Sequence, residues 1–335
     1  MITKGIYMHT NRILLISAVA ALALTSCKGD ETETLKYLTG EPEFTIPAYG
    51  VSGDRFELPS KGVTAEDGTT VKYYWYAEPI STHRDTVPVY YVNLTDSLCT
   101  VTVHCVAFAE GYNPSSTSHT ITIVNSDRKK GSIKGLDFDQ SKDFSFTDPR
   151  DGREYWCTTV KGTDWFKENL AYRGAGVPLE NCESTSDVFG RFYTWDEAVK
   201  ACPEGWRMSS LGDWSDAASV ILGENPDPKD RFLSIAGGFM GNIYFNGQRM
   251  WEYWPKVSIT NDLRLSMTPM GYAVKRETGT AFKSQFDYAA FWTADEKDGE
   301  QAYYRYFYDE SPDLFIGSAA KSSFAASVRC VRDHQ

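Results

Sequence analysis

The sequence predicts a β-rich chain of two domains, an antiparallel β-sandwich followed by an α+β domain. Three observations carry the prediction. A length of 335 residues suits about two domains. Aromatic residues make up 14% of the chain, with 20 Tyr, 18 Phe and 9 Trp, beside abundant Thr, Val and Gly, a composition that favours strands. Alternating apolar segments recur through the chain, whereas a helical period is clear in only two stretches of the second half.

The first element is a leader. Lys4 and Arg12 form a basic start, and the apolar run 13–24 is too short to span a bilayer and right for a signal peptide. It ends Leu24-Thr25-Ser26-Cys27, which resembles a bacterial lipobox. Residues 1–26 are therefore expected to be removed and Cys27 to be lipidated, with several acyl chains giving a stable anchor in outer-membrane lipid. The tether 27–34 contains Lys28-Gly29-Asp30-Glu31-Thr32-Glu33, which resembles the acidic export signal of Bacteroidota surface lipoproteins and implies an outward-facing protein. The formal charge is −11, and loss of the leader removes two cations and no acid. An acidic chain without a basic stripe argues against nucleic acid as a partner.

Residues 35–125 read as the sandwich. Segments 71–77, 87–94, 98–109 and 118–124 alternate or are β-branched, with Gly50, Gly53, Gly62, Gly68 and Asn113-Pro114 between them. Trp75 stands where an immunoglobulin-like domain has its core tryptophan, and 101–112 resembles a late strand of such domains. Residues 126–135 are polar, basic and glycine-containing, and read as a linker.

The second domain, 136–335, opens with a hairpin series: a turn at 148–153, a strand at 154–160, a turn at 161–164 and an extended piece at 165–172. Thr194 and Glu197 form a capping box, and Trp195, Ala198, Val199 and Cys202 share one helical face before Pro203. Ser210 with Asp213 starts a second helix whose stripe is Leu211, Trp214, Ala217, Ala218, Ile221 and Leu222, ending at Gly223. Residues 224–335 read as loops and strands.

Four ordered segments of this domain, 146–172, 190–214, 291–296 and 328–333, resemble the FISUMP family, the Fibrobacter succinogenes major paralogous domain. The family pattern CP-x-GWRLPT-x-x-EW appears with Met208, Ser209, Ser210 and Asp213 in place of Leu, Pro, Thr and Glu, and Ser210 and Asp213 keep the capping chemistry. The resemblance implies a fold similar to C-type lectin-like and sulfatase-modifying-factor domains and a secreted or lipid-anchored location. It implies no activity.

With Cys27 assigned to lipid, six cysteines remain in an oxidising compartment. Cys202 with Cys330 is the expected bridge, tying the end of the first helix to the last strand, and Cys157 with Cys182 is the next candidate. Cys99 and Cys105 lie in one predicted strand, too far apart to pair, and are expected as buried thiols.

Candidate chemistry is thin. Of five histidines, only His334 falls in the second domain, so Ser-His, Cys-His and His-metal mechanisms have little to work with there. His83 is expected in a turn, His104 and His119 in strands. Asp137, Asp139 and Asp143, and Asp295, Glu296, Asp298 and Glu300, are dense enough to interest calcium but lack a known ligand spacing, and read as solvated turns. No metal or cofactor is expected, and no carboxylate pair is selected for glycoside hydrolysis. The motif tryptophans Trp156, Trp165, Trp195, Trp206, Trp214 and Trp292 are expected in the core. Trp251, Tyr253 and Trp254, in a variable loop, are the candidate ligand-binding residues, since loops on a rigid scaffold carry binding. The expected function is non-catalytic binding or adhesion towards a glycan or protein ligand. The alternatives are a structural subunit of a surface or pilus-like assembly and a glycan-active enzyme using an unidentified carboxylate pair.

Overall fold

Strand alternation in the first hundred residues has a direct structural result. In the computed structural model, which describes residues 34–95, 99–127, 131–251 and 257–335, Val101, Val103, Cys105 and Ala107 of the strand Thr100–Phe108 point inward in alternate positions. This strand is the centre of a five-stranded sheet in the order Tyr49–Gly50, Ser115–Ile123, Thr100–Phe108, Lys72–Glu78, Ser81–Thr86. A ribbon of Arg55–Pro59 and Val89–Asn93 faces it. Trp75 from the large sheet stacks on Tyr90 from the ribbon at 5.7 Å, so one indole closes the core between two layers. The leader, Cys27 and the tether to Glu33 lie outside the described residues.

Two expectations for this region need correction. His83 lies in the edge strand Ser81–Thr86, not in a turn, because Thr86 and Asp85 pair with Tyr74 and Trp75. Cys99 is exposed, since the strand begins only at Thr100; Cys105 alone is a buried thiol, and burial pushes it up to about 12.

The second half builds two further five-stranded sheets. The hairpin series Asp143–Thr147, Glu154–Val160 and Thr163–Phe166 is completed by the last strand, Cys330–Asp333, and by Arg207–Met208. The other sheet runs Val177–Pro178, Arg191–Thr194, Phe324–Ala326, Tyr272–Arg276, Gly279–Lys283, and a three-stranded sheet, Tyr288–Glu296, Gln301–Tyr308, Phe315–Ala320, stands beside them. Among the described residues no helix is long and apolar enough to cross a membrane.

The helix Leu211–Leu222 forms as its sequence dictates. Asp213 Oδ2 accepts from the Ser210 backbone and hydroxyl at 2.7 Å each, and the Asp213 N–H donates back to Ser210 Oγ at 3.2 Å. Trp214 is fully buried, edge-on to Trp165 at 5.7 Å and stacked on Phe239 at 5.5 Å. Leu222 leaves the stripe and is 39% exposed, and Gly223 takes the left-handed turn at φ 79° that ends the helix. The earlier helix is shorter than its face suggests. Only Trp195–Ala198 is helical, after which Lys200 and Ala201 donate three residues back, as suits a chain approaching Pro203.

Arg207 bonds both Asp213 oxygens, at 2.5 and 2.9 Å. Burial alone would raise the Asp213 carboxyl, but the bonds from Arg207 and Ser210 outweigh it and hold the group below the ordinary aspartate range. A carboxyl lowered in the folded state stabilises above its unfolded value and loses that contribution as pH falls through the folded one. Stability is therefore expected to decline below about pH 4, with a shallower acid limb in Asp213→Asn. Denaturant midpoints across the acid range measure this, and parallel limbs for both proteins would exclude the contribution.

Cys202 and Cys330 form the expected disulfide, with Cα atoms 5.8 Å apart. Cys157 and Cys182 do not pair. Cys157 is buried in the cluster around Tyr155, Phe166 and Trp206, where burial pushes its thiol up, while Cys182 sits between the short turns Leu179–Asn181 and Glu183–Thr185.

Candidate functional site

Trp251 is not on a binding loop. Its ring is fully buried against Phe307 at 5.6 Å, and its indole N–H donates to the Met267 carbonyl at 2.9 Å. A tryptophan that satisfies its one donor inside a core has nothing left to offer a ligand. Tyr253 and Trp254 lie outside the described residues. Of the motif tryptophans, five are buried as expected, and Trp156 is not; it is half-buried, with its ring 5.1 Å from Phe138.

Trp156 belongs to the wall of a cavity of about 250 Å³ that the sequence did not announce. Its residues come from seven stretches of the chain, Ile243 and the pair Ser266 and Thr268 among them. The strand Glu154–Val160 supplies Trp156, with Arg153 just before it. Lys167, Glu168 and Asn169 follow the strand Thr163–Phe166; the Lys167 N–H still donates to the Trp156 carbonyl at 2.8 Å, which fixes these residues beside the hairpin. The one-turn helix Ser186–Phe189 brings Asp187 and Phe189, and Arg329 precedes the final strand. Residues 125–127 and 133–137 cover the cavity. Within the stretch 126–135 read as a linker, the strand Ile133–Lys134 pairs with Tyr244–Phe245, and Ile133 packs with Ile243 and Phe245.

The floor is polar and buried. Lys167 is 2% exposed and donates to Asp143 Oδ2 at 2.7 Å and to the Asp137 carbonyl at 2.5 Å. Asp143 also receives Arg264 Nη2 at 2.5 Å. Burial would raise the Asp143 carboxyl, but Arg264 and Lys167 prevail and hold it below its ordinary value. Asn169 bridges two elements: its amide N donates to the Phe189 carbonyl at 3.0 Å, and its oxygen accepts from Arg329 Nε at 3.0 Å. Gly190 must be glycine here, because φ is 79° and a Cβ would lie 2.5 Å from Asn169 Cβ.

The wall above the floor is ion-paired. Arg153 Nη1 reaches Asp187 Oδ1 at 3.1 Å and its Nη2 the Asp187 carbonyl at 2.9 Å, while Arg173 holds the same carboxylate at 3.1 and 3.2 Å. Glu168 Oε2 accepts the Trp156 backbone N–H at 2.9 Å, which ties the aromatic rim to the floor. Such a lining can hold a small polar solute by hydrogen bonds and against one aromatic ring.

The acidic clusters are spent on structure. Asp139 accepts from Ser141, Asp295 from the N–H of Leu211 at 2.6 Å, and Asp298 from Glu300 and Gln301. Among the described residues no three potential ligands gather for a metal ion. His334 Nδ1 lies 2.7 Å from the buried Asp164 carboxylate, beside a second, open cavity of about 520 Å³. The nearby Thr159 hydroxyl donates to the same Asp164 oxygen at 2.7 Å and lies 3.3 Å from His334 Nδ1.

The signal that could have located the cavity is a cation inside an apolar run. Lys167 follows Trp165-Phe166, and Arg329 lies between Val328 and Cys330. Charges in such positions are buried and must be paired or used.

Residues 159–332 match the model of the Fibrobacter succinogenes major domain. No curated protein matches the chain. The match contains Lys167, Asn169, Asp187 and Arg329, and leaves Arg153, Trp156 and the covering segment outside it.

Proposed function

The chain belongs to the Fibrobacter succinogenes major domain family, and from that premise we propose that it is a cell-surface lipoprotein, anchored through Cys27, that binds glycan or protein ligands without catalysis. In this reading residues 35–125 are an immunoglobulin-like spacer and residues 136–335 a C-type-lectin-like tip. The order of the leader, the Cys27 lipobox and the acidic tether supports the anchor and its outward face.

The observation that carries the binding reading is the cavity. Its size, below the ~300–1,000 Å³ of drug-sized sites, suits one ring-sized unit. Amide, hydroxyl and charged groups line it, and the half-buried face of Trp156 stands at its rim. Sugar rings need that combination of hydrogen bonds and an aromatic face.

Binding is favoured over catalysis by what the carboxylates do. A glycosidase keeps one carboxyl protonated near neutral pH. Here the buried Asp143 beneath Lys167 is held in the opposite direction. Purified full chain on a glycan array, with release of reducing ends from the same glycans followed in parallel, tests the reading. Retention without product is the expected result. Product release would replace the binding reading with an enzyme.

A further inference from the structure

The floor of the cavity holds a cation that has no ion-pair partner among the described residues. Arg329 is 1% exposed and makes three hydrogen bonds: Nε to Asn169 Oδ1 at 3.0 Å, and Nη1 to the carbonyls of Phe166 and Leu265 at 2.9 Å each. All three acceptors are neutral. Among the described residues no carboxylate forms an ion pair with it, and its Nη2 makes no hydrogen bond. Burial pulls its guanidinium down to about 9, and the Glu168 carboxylate, beyond ion-pair distance, opposes this.

Its neighbours behave differently. Lys167, equally buried, is matched by Asp143. Arg305 is also buried and bonded to carbonyls, those of Asp230 and Pro228, and lies over the Phe232 ring at 4.0 Å as Arg329 lies over Phe291 at 5.5 Å, but it lines neither cavity; it fastens a loop. Among the described residues Arg329 alone combines burial, neutral hydrogen-bond partners and a place in a cavity wall. Arg153 adds a second unspent donor to the same wall, since its Nε is buried and has no partner. Glu168 lines the same wall and accepts the Trp156 backbone N–H. Asp187 is taken up by Arg153 and Arg173, and Asp127 and Asp137 stand in exposed positions at the mouth.

Building on the glycan-binding reading above, we infer that the cavity takes a sugar bearing a carboxylate, a hexuronate or sialic-acid unit, whose carboxylate pairs with Arg329. Charge-assisted bonds from guanidinium to carboxylate are the strong members of their class, and a desolvated guanidinium without a partner gains most from receiving one. The sugar ring then lies towards Trp156, where the cavity turns from charged to aromatic. A net charge of −11 disfavours long polyanions, so the ligand is an isolated acidic unit on an otherwise neutral glycan.

Titration of the full chain with glucuronate and with N-acetylneuraminate, each against its methyl ester and against glucose, tests this without altering the protein. The acids are expected to bind at least about tenfold more tightly than their esters. Arg329→Gln is expected to abolish the preference while leaving ester affinity in place, and Arg329→Lys to retain part of it. Equal affinity for acid and ester in the unaltered chain would overturn the assignment of Arg329. In that case neutral sugars that still bind leave the glycan-binding reading standing. Failure of every sugar, charged or neutral, removes both.

Discussion

Loss of the Cys202–Cys330 bridge is expected to destabilise the second half of the chain by about 5 kcal/mol. The bridge closes a loop across a sequence separation of 128, and in the chain-entropy account a loop of that length gives the largest contribution a single disulfide makes. The geometry adds a reason for the effect to be local. Cys330 begins the last strand, which pairs on one side with Thr163–Phe166 and on the other with Arg207–Met208, so the bridge joins the strand that completes the sheet to the turn after Ala198. Denaturant unfolding with and without reductant, and of a Cys202→Ala/Cys330→Ala variant, measures it. The two-layer unit around Trp75 contains neither cysteine and serves as an internal reference. A change below about 1 kcal/mol would mean that the unfolded chain is already restrained or that the bridge is strained.

Trp251→Ala is expected to cost about 3–5 kcal/mol, the range for removing a buried aromatic ring, with the Met267 carbonyl left without its donor. Trp251→Phe should cost less, because an aromatic ring is kept against Phe307 while the hydrogen bond and part of the indole volume are lost. The prediction separates two meanings of the same residue. A ligand-binding tryptophan on a loop would lose affinity on truncation and leave stability nearly unchanged. A core tryptophan does the reverse. Thermal unfolding of the two variants decides between them, and an unchanged midpoint in Trp251→Ala would return this residue to the surface.

Local features of the fold were legible because they are decided by neighbours in sequence. The Ser210–Asp213 box, the turn at Gly223, the hairpin of Glu154–Val160 and Thr163–Phe166 and the alternation of Thr100–Phe108 all follow from spacing over a few residues. The Cys202–Cys330 bridge was legible because both cysteines sit in segments that mark element ends. Helix length after Trp195 was not, since the apolar face continues to Cys202 while the backbone tightens ahead of Pro203. The fate of Trp251 was not legible either. Its partners, Met267 and Phe307, lie 16 and 56 positions onward in the chain, and nothing near Trp251 announces them. The cavity is the extreme case, built by residues from 125 to 329 that share no single pattern in sequence.

The central claim is that the buried aromatic and cysteine residues of the family motifs are scaffold, and that the proposed recognition uses the cavity lined by Trp156, the one motif tryptophan that is only half-buried. Glycan-array retention and thermal midpoint, measured together for Trp156→Ala, test it most directly. The account predicts that retention falls by about tenfold or more while the midpoint shifts by only a few degrees, because the ring is half-buried at a rim rather than packed in a core. Full retention by Trp156→Ala, at an unchanged midpoint, would contradict the claim and move recognition away from this cavity.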